Sequence, residues 1–374
     1  MKLRVGVIFG GRSGEHEIAV RSAQTVIEQI DKSKYDVVPI AISQDGRWLS
    51  PSESLALLPG ETRAAIDSDL SLLENDDIAL VGDTARRGLT TFKEGGAGLV
   101  PLDVIFPVLH GTFGEDGTIQ GLLEMADLPY VGCGVLASSC GMDKAVMKIL
   151  FRDAGLPICK HIWFLRNEFE TNPAAVTAQV GKQIGYPCFV KPANLGSSVG
   201  VSKAVDISSL KDAIALAAEY DRKIIVEEAL DMREIECAVL GNDDPKASRP
   251  GEYLIRDQAK AFLDYTEKYS GTGNNEFVVP APVSQELAAK IQKMAVTAFK
   301  AVDGSGLARV DFFLRNDTGE LLVNEINTMP GLTDASGYPK MWAGTGKEFS
   351  VVIDELIELA LERHEDKSRN KTSR

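Results

Sequence analysis

The stretch that decides the fold is Leu307–Gly331, which reads LARVDFFLRNDTGELLVNEINTMPG. Two runs rich in leucine, valine and phenylalanine, Leu307–Leu314 and Glu320–Ile326, predict two β-strands. The segment Arg315–Gly319 between them is polar and contains Asn, Asp, Thr and Gly, which favour tight turns. The sequence therefore predicts a β-hairpin here.

Four polar side chains stand on the predicted hairpin. Arg309 and Asp311 are two residues apart and share one face of the first strand, because side chains alternate along a strand. Glu325 and Asn327 share a face of the second strand in the same way. With the turn centred on residues 317–318, Asp311 is expected within about one residue of facing Glu325.

Two carboxylates, an amide and a guanidinium among apolar residues would repel or stay unsatisfied without a cation. Mg²⁺ prefers such oxygen ligands, with nucleotide phosphates and water completing its shell. The hairpin therefore predicts a magnesium site formed by Asp311, Glu325 and Asn327. The alternative is a solvent-facing hairpin with an ordinary surface salt bridge.

Composition limits the function classes. A chain of 374 residues with 44% apolar and 25% charged residues is typical of two or three globular domains. The net charge of −14 argues against nucleic acid or an anionic membrane as a main partner. Four scattered histidines are too few for a zinc site.

Three further features predict a cytoplasmic protein. The five cysteines form no CxxC pair and are typical of reduced, buried thiols. The opening MKLRVGVIFGG has no signal-peptide pattern. No run approaches the roughly 18 apolar residues of a membrane span.

The first third of the chain is expected to form a doubly wound α/β domain. Leu3–Phe9 is an apolar strand followed by a glycine-rich loop and a helix from about Glu15 to Ile30. Further strands are predicted at Tyr35–Ile42 and Val104–Leu109, and a helix at Thr118–Ala126. Residues 50–98 are polar and poorly periodic, and are expected to form a variable loop with a short helical segment. The loop after the first strand lacks GxGxxG, which disfavours a dinucleotide-binding oxidoreductase.

The remaining chain is expected to alternate strands and helices. Asp143–Ala154 predicts a helix with Asp143 as its N-cap and Gly155 just beyond its end. The other predicted elements are strands at 161–164, 187–191, 199–204, Lys223–Glu228 and Glu234–Leu240, and helices near 173–184, 208–218 and Gln285–Ala301. A long polar loop is expected after Leu240. The tail beyond Arg363 is charged and expected to fray.

A second chemical motif is FVKPANLGSSVG, residues 189–200. A strand ends in Lys191 and leads into a Gly/Ser loop, whose small residues let backbone N–H groups approach a phosphate. Lys144 opens a helix, where its charge opposes the helix dipole but, together with the helix N-terminus, favours an anion. The alternatives are a β-hairpin with a flexible tip and an exposed lysine near a frayed helix end.

Together these motifs resemble the ATP-grasp superfamily, and within it the D-alanine–D-alanine ligase family. The resemblance covers nearly the whole chain and is carried by eight motifs in family order: GGRSGEHE (10–17), HGTFGEDGTIQG (110–121), MDK (142–144), KPANLGSSVG (191–200), VEEAL (226–230), LDYTEKY (263–269), LARVDFF (307–313) and NEINTMPGLT (324–333). It implies an α/β fold, α+β in the later domains, with a three-domain ATP-grasp architecture and an N-terminal Rossmann-like domain. The expected domains are 1–132 for the first substrate, 133–226 for the phosphate-covering loop, and 227–374 for the metal hairpin, the lid and the second substrate.

The resemblance also implies a role for individual residues. The residues expected to bind the nucleotide are Lys144, Lys191, Ser198, Glu227, Glu228, Leu230, Glu234, Lys268 and Asn324. Those expected to bind substrate or assist the chemistry are Glu15, His110, Ser197, Tyr269, Arg309, Gly331, Ser336 and Gly337. Among these, Glu15, Ser197 and Tyr269 form a triad around the first D-alanine. Arg309 and the Gly331 N–H polarise the acyl phosphate and its tetrahedral successor.

The implied reaction joins two D-alanines through a D-alanyl phosphate made from ATP. Two Mg²⁺ ions are expected, with Mn²⁺ able to substitute, and a homodimer is expected, with no nucleic acid or membrane as partner. The loop Leu254–Phe277 carries Lys268 and Tyr269 and suits a closing lid; the alternative is a disordered surface loop.

One residue departs from the family pattern. Gly337 stands where relatives usually carry Leu or Met, which is expected to leave a gap in the wall of the second-substrate pocket. Two alternatives stay open: a D-alanine–D-lactate or D-alanine–D-serine ligase, which the presence of Tyr269 disfavours in the lactate case, and a non-catalytic nucleotide-binding regulator. The intact Asp311, Glu325 and Arg309 disfavour the regulator.

Overall fold

A computed structural model of the chain describes residues 2–66, 77–93, 96–196, 199–255 and 275–371. The elements before residue 132 are, in chain order, β1 Leu3–Gly10, α1 His16–Gln29, β2 Tyr35–Ile42, α2 Pro51–Ala56, α3 Gly60–Ala64, β3 Asp77–Leu80, β4 Gly88–Lys93, β5 Gly96–Pro101, β6 Val104–Val108 and α4 Thr118–Met125. Strands β2, β1 and β6 form a parallel sheet in that order. The predicted strand–loop–helix opening is confirmed.

Close packing explains the glycine at the end of β1. Gly10 has φ +87°, and a Cβ there would lie 2.3 Å from the carbonyl oxygen of Ile42. Glycine alone combines this conformation with such a close approach. The chain can therefore turn sharply into α1 at the carboxyl edge of the sheet.

Residues 50–98 are more regular than the sequence predicted. Strands β3, β4 and β5 form an antiparallel sheet that follows the short helices α2 and α3. Ile78, Leu80 and Leu89 are buried against the core beside β1 and β6. The expectation of a variable loop is wrong because strands of four to six residues carry too few alternations to be recognised.

The central part of the chain forms a third sheet, which is antiparallel. Its elements are α5 Val135–Met142, α6 Lys144–Asp153, β7 His161–Leu165, α7 Arg166–Thr171, α8 Pro173–Gln183, β8 Cys188–Pro192, β9 Ser202–Ala204, α9 Ile207–Tyr220 and β10 Lys223–Glu228. The sheet order is β7-β10-β8-β9, and its residues pack with α8 and α9 in a separate core. The predicted boundary between residues 226 and 227 falls within β10.

Local sequence signals explain which helices and strands of the central part were predicted correctly and which were not. Asp143 caps α6 as predicted, accepting hydrogen bonds from the backbone N–H of Ala145 and Val146, both at 3.1 Å. Helix α5 was not predicted, because its Ala, Ser, Cys and Gly residues give it almost no apolar periodicity. Strand β9 is shorter than the predicted 199–204.

The last part of the chain holds the largest sheet. Its elements are β11 Met232–Gly241, β12 Lys246–Ala247, β13 Gly251–Ile255, β14 Asn275–Val278, α10 Gln285–Ala301, β15 Gly306–Arg315, β16 Leu321–Asn327, α11 Gly337–Thr345 and α12 Phe349–Ser368. The sheet order is β14-β13-β11-β15-β16, with β12 paired to β11. The expected long polar loop therefore contains strands β12 to β14, which the sequence did not reveal.

Strands β15 and β16 form the predicted hairpin, and their register is now defined. Arg309 faces Asn327 and Asp311 faces Glu325, so the predicted alignment is confirmed. The register then shifts: Phe312 faces Val323, which leaves Asn324 as the extra residue of a β-bulge. The bulge immediately precedes Glu325 and changes the direction in which the side chains of this part of the strand point.

The sequence predicted that the tail frays beyond Arg363, but the C-terminal helix α12 stays ordered past this residue. It continues to Ser368 and docks on the first domain. Arg363 donates to the Tyr130 carbonyl at 2.8 Å, and His364 Nε2 lies 3.0 Å from Asp127 Oδ1. The sequence prediction was wrong because these charges are paired with groups distant in the chain.

One hydrophobic core joins the two ends of the chain. It contains Val7 and Phe106 of the first sheet together with Leu307 of β15 and Leu356 of α12. The first sheet is thereby packed against the hairpin sheet. Within the described ranges, the helices are too short or too polar to cross a bilayer.

Candidate active site

The polar side chains of the hairpin form a compact cluster. Arg309 makes a bidentate pair with Asp311, with both N–O distances at 2.7 Å. The Asn327 amide donates to Asp311 Oδ2 at 3.0 Å. Asp311 is largely buried, so this pair is shielded from solvent. Hydrogen bonds thus join three of the four polar residues predicted from strand alternation, and the fourth, Glu325, faces Asp311 across the hairpin.

The cations beside these carboxylates come from the protein itself. Lys144 Nζ lies 3.7 Å from Glu325 Oε2, and Arg309 Nε lies 3.4 Å from Glu236 Oε2 as well as contacting Asp311. The protein therefore supplies part of the compensating charge itself, and the magnesium site stays a prediction.

The donor set nevertheless fits magnesium. Asp311 and Glu325 face each other across the hairpin, and Asn327 adds an amide oxygen. No group of three or more His, Cys, Asp or Glu suited to a metal occurs within the described part of the chain. A site with two carboxylates suits Mg²⁺, which is bound through one or two carboxylates plus phosphates.

A second charged cluster lies where β8, β10 and α6 meet. Glu227 Oε2 lies 2.6 Å from Lys191 Nζ, and Glu227 Oε1 lies 3.0 Å from Lys148 Nζ. Burial alone would raise the pKa of Glu227, but the charges of Lys148 and Lys191 outweigh burial and hold it well below its usual range. Burial opposes the charge on both lysines, yet Glu227 raises the pKa of each. The cluster is therefore fully ionised.

Lys148 was missed in the sequence. It is four residues after Lys144 and is the buried cation among the apolar positions of α6. Its Nζ also donates to the carbonyl oxygen of Asn324, the bulge residue, at 3.0 Å. A lysine on the apolar face of an amphipathic helix was the available signal.

Lys144 forms hydrogen bonds that stabilise the beginning of the Gly/Ser loop. Its backbone N–H donates to the Ala193 carbonyl at 3.0 Å, and its Nζ donates to the Leu195 carbonyl at 2.8 Å. The loop therefore starts directly over the N-terminus of α6, which favours anions. Ser197 and Ser198 at the tip lie outside the described residues.

The predicted adenine and ribose hinge lies between two sheets. Glu228 ends β10 and accepts a hydrogen bond from the Lys160 N–H at 2.8 Å. Leu230 follows in the short connection, and Glu234 lies on β11, opposite Phe313. Lys268 and Tyr269, and most of the predicted lid, lie outside the described residues.

Glu15 lies between two glycine-rich loops. It precedes α1, and its carboxylate is 2.6 Å from where a Gly111 Cβ would stand and 3.3 Å from where a Gly196 Cβ would stand. Gly111 follows β6 and Gly196 belongs to the loop over α6. The loop after β6 and the loop over α6 therefore both approach this carboxylate.

His110 connects the first domain to the loop after the hairpin. Its Nδ1 lies 3.0 Å from the Met329 carbonyl and so donates to it, which leaves Nε2 to accept from the Ser22 hydroxyl at 3.1 Å. The Leu332 N–H in turn donates to Ser22 at 3.3 Å. Burial lowers the pKa of His110, which keeps it neutral. These contacts fix the backbone before Gly331, at Met329, and the backbone after it, at Leu332.

Glu115 belongs to the motif HGTFGEDGTIQG (110–121), but the sequence analysis assigned it no function. It accepts a hydrogen bond from the Gly111 N–H at 2.8 Å. Burial, reinforced by the negative charge of Glu15, raises the pKa of Glu115 to about 8. A carboxylic acid that retains its proton at neutral pH therefore borders the Glu15 site.

A cavity of about 390 Å³ opens at the carboxyl edge of the first sheet. Its walls include Gly11, Ser13 and His110. Ser13 donates to the His110 carbonyl at 2.7 Å, which ties the loops after β1 and β6 together. Ligands of open α/β sheets bind at this edge. Glu15 follows the same loop after β1 but is not among the residues that line the cavity.

The predicted second-substrate residues start helix α11. Ser336 Oγ lies 2.7 Å from Thr333 Oγ1, and both residues are buried. A Cβ at Gly337 would lie 2.5 Å from Glu236 Oε2 and 2.9 Å from the Phe277 ring. The expectation of a gap at residue 337 is therefore wrong, because Glu236 and Phe277 fill that space.

Known protein families and relatives match nearly the whole chain. A family model described as "D-ala D-ala ligase N-terminus" matches residues 4–133, and one described as "D-ala D-ala ligase C-terminus" matches residues 150–358. A D-alanine–D-alanine ligase from Ruminiclostridium cellulolyticum is 49% identical, covering 100% of this chain and 99% of that protein. One from Bacillus velezensis is 46% identical, covering 96% and 98%.

Solved structures give the same result. The D-alanine–D-alanine ligase of Coxiella burnetii superposes with a TM-score of 0.82 at 34% identity, covering 98% of this chain and 96% of that chain. The VanG D-Ala:D-Ser ligase of Enterococcus faecalis superposes with a TM-score of 0.81 at 36% identity, covering 96% and 100%. The predicted ATP-grasp architecture is confirmed by these neighbours. Both halves of the chain match and the relatives align over its full length, so the chain belongs to the D-alanine–D-alanine ligase family.

Proposed function

We propose that this protein joins two D-alanines to D-alanyl-D-alanine at the expense of ATP, as a step in making the peptidoglycan precursor. The observation that carries the proposal is that helix α6 contacts both charged clusters, in a chain that matches both halves of the ligase family. Lys144 lies 3.7 Å from Glu325 on the hairpin, and Lys148 joins Glu227, the partner of Lys191, to the hairpin at Asn324. Such an arrangement can bind a triphosphate on one side and a small carboxylate on the other.

The reaction has two steps. The carboxylate of the first D-alanine attacks the terminal phosphorus of ATP, which releases ADP and forms D-alanyl phosphate. The amine of the second D-alanine then attacks the acyl carbon, loses a proton and expels phosphate. Negative charge develops in both steps, so preorganised cations favour them.

The chain's own residues have separate tasks in this proposal. Lys144 and Lys191 bind the phosphates, and Ser198, Lys268 and Asn324 complete that region. Adenine and ribose occupy the hinge, whose residues are Glu227, Glu228, Leu230 and Glu234. Arg309 and the Gly331 N–H stabilise the oxyanion that forms on the acyl carbon.

Two substrate positions follow. The first D-alanine is bound by Glu15, Ser197 and Tyr269, with His110 holding the loop around Gly331. The second is bound by Ser336 and the backbone of Gly337. The segment 254–277 closes over both and excludes water from the acyl phosphate.

Asp311, Glu325 and Asn327 are the residues that would hold magnesium. Two Mg²⁺ ions, or Mn²⁺ in their place, would supply neutralisation of phosphate charge. We also propose three domains, 1–132, 133–226 and 227–374, and a homodimer. The enzyme is proposed to act in the cytoplasm, where ATP is available and five free cysteines stay reduced.

The test is phosphate release from ATP with D-alanine alone, or with D-serine or D-lactate added as acceptor, and identification of the product by mass. We expect D-alanyl-D-alanine as the main product, with release depending on D-alanine. A main product containing D-serine or D-lactate would reassign the acceptor. ATP turnover without any coupled product would contradict the proposed ligation.

A further inference from the structure

Lys148 is the least exposed charged side chain around the proposed nucleotide site. Its side chain is 1% exposed, compared with 15% for Lys144 on the same helix and 14% for Lys191. The other buried residues of α6 include Ala145, Met147 and Phe151. A buried ammonium among such residues requires partners that compensate its lost hydration.

The ammonium of Lys148 contacts three separate elements. It lies 3.0 Å from Glu227 Oε1 on β10, 3.0 Å from the Asn324 carbonyl on β16, and 3.6 Å from Cys159 Sγ before β7. Its own helix carries Lys144 one turn earlier. Lys148 therefore lies beneath the proposed phosphate site and joins the hinge to the hairpin.

Glu227 is shared between two lysines of different accessibility. Its Oε2 pairs with Lys191 at 2.6 Å and its Oε1 pairs with Lys148 at 3.0 Å. Lys191 is the more exposed of the two, so it is the lysine that an incoming phosphate can reach. A phosphate that attracts Lys191 competes with Glu227 for the same ammonium.

We propose that Lys148 is a positioning residue: it keeps Glu227 neutralised so that Lys191 is released to bind the nucleotide phosphates. This inference rests on the phosphate role proposed above for Lys191. With Lys148 present, movement of Lys191 leaves Glu227 as one half of a buried ion pair. Without Lys148, the same movement leaves a lone buried carboxylate, which is strongly disfavoured.

The bond to Asn324 extends this role to the metal hairpin. The Asn324 carbonyl belongs to the bulge residue that immediately precedes Glu325. Lys148 therefore fixes the backbone that aims Glu325, while it also balances the charge of Glu227. Nucleotide binding depends on both effects, whereas the first-substrate residues around Glu15 contact neither group.

The principal experiment is a double-mutant cycle on Lys148→Met and Glu227→Gln, measured as the KM for ATP. We expect Lys148→Met to raise the KM for ATP at least about tenfold, equivalent to about 1.4 kcal/mol, when Glu227 is present. In the Glu227→Gln background the same change is expected to raise it less than about twofold. The KM for D-alanine should stay within about twofold throughout.

Equal effects in both backgrounds, or equal increases in the KM for ATP and for D-alanine, would overturn the proposal, because a purely structural role predicts such results. Lys182→Met, an exposed lysine of α8, is the matched control and should change neither constant. Lys191→Met separates the two proposals. An unchanged KM for ATP in that variant overturns the phosphate role and this inference together. If the KM for ATP is raised in Lys191→Met but unchanged in Lys148→Met, this inference alone is overturned.

A second probe covers the case in which Lys148→Met lacks a cooperative thermal transition. Glu227→Gln is nearly isosteric, and inorganic tripolyphosphate carries no adenine or ribose to contact the hinge. Because Lys191 no longer has to leave a carboxylate, the variant should bind tripolyphosphate at least about threefold more tightly than the wild type. Unchanged or weaker binding by calorimetry would contradict competition between Glu227 and phosphate for Lys191.

Discussion

Two glutamates border the candidate site, Glu227, which is buried, and Glu115, which is largely buried, and their surroundings are opposite. Glu227 lies between Lys148 and Lys191, which hold its pKa well below the usual range despite burial. Glu115 lies near Glu15 and accepts one backbone hydrogen bond from Gly111, and burial raises its pKa to about 8. One is a permanent anion and the other retains its proton at neutral pH.

The difference shows that burial does not by itself decide the charge of a glutamate. Burial opposes ionisation of both residues, and the charge of the nearest neighbours determines whether it is overcome. The cationic cluster lies where phosphates are proposed to bind, and the acidic cluster lies where the amino acid is proposed to bind. The comparison predicts different responses when single carboxyl groups are removed.

The largest effect is expected for Glu325→Gln, which removes a carboxylate of the proposed magnesium site. Its Lys144 partner is 3.7 Å away, a loose contact compared with those of Glu227. Losing the charge should lower kcat by about 10³-fold or more, corresponding to about 4 kcal/mol in activation free energy. The thermal midpoint should change little. Near-normal turnover would show that the hairpin carboxylates are structural.

The next effect is expected for Glu227→Leu, which removes the anion from the cationic cluster. Lys148 and Lys191 would remain close together without a carboxylate. Breaking a buried ion pair in this way should lower the free energy of unfolding by about 3–5 kcal/mol. Urea denaturation measures this loss, and Glu219→Leu on the exposed face of α9 is the control. Adding Lys148→Met should restore part of the stability; a further loss would contradict the charge argument.

A smaller effect is expected for Gly337→Ala, which tests a third buried glutamate. The new methyl group would meet Glu236 Oε2 at 2.5 Å and the Phe277 ring at 2.9 Å. Overpacking of this kind should lower the free energy of unfolding by about 1–3 kcal/mol. Gly121→Ala on α4, where a Cβ would have no neighbour within 4 Å, is the matched control. Equal stability of the two variants would show that Glu236 moves aside freely.

The smallest effect is expected for Glu115→Gln at pH 4.5 and below, where the folded wild type holds the proton and glutamine resembles the protonated acid. The folded chain keeps the Glu115 proton to about pH 8, whereas the unfolded chain loses it near the ordinary pKa of 4.5. The folded state therefore binds more protons between these values, and the contribution of Glu115 to stability falls as pH rises. Glu115→Gln should remove this slope, so that the variant gains stability relative to wild type towards pH 8.

Glu227 is expected to have the opposite effect on how stability depends on pH: its contribution to stability rises as pH rises. Its folded pKa lies below the ordinary value of 4.5, so its stabilising contribution is present above that pH and is lost on acidification. Thermal melts of the wild type, Glu115→Gln and Glu227→Leu resolve the two effects when they extend from well below pH 4.5, where the Glu227 contribution is lost, to pH 8, where the Glu115 contribution is lost. Parallel curves for Glu115→Gln and wild type would show that Glu115 is ionised in the folded chain.

The sequence by itself determined the strands, the helices and the hairpin where patterns are local. Alternation along Leu307–Leu314 placed Arg309 and Asp311 on one face, since the period of a strand is fixed by its backbone. A capping aspartate and a following glycine likewise set the ends of α6. The eight motifs also indicated the family, and the comparisons confirmed it.

Only the tertiary structure decided which charges meet. Lys148, Asn324 and Glu227 are separated by up to 176 positions in sequence, and no local pattern relates an ammonium on a helix to a bulge carbonyl on a distant strand. The tail after Arg363 and the space at Gly337 were misjudged for the same reason. Their environments consist of residues from other elements, and the energy of a buried charge depends on those neighbours rather than on its own segment.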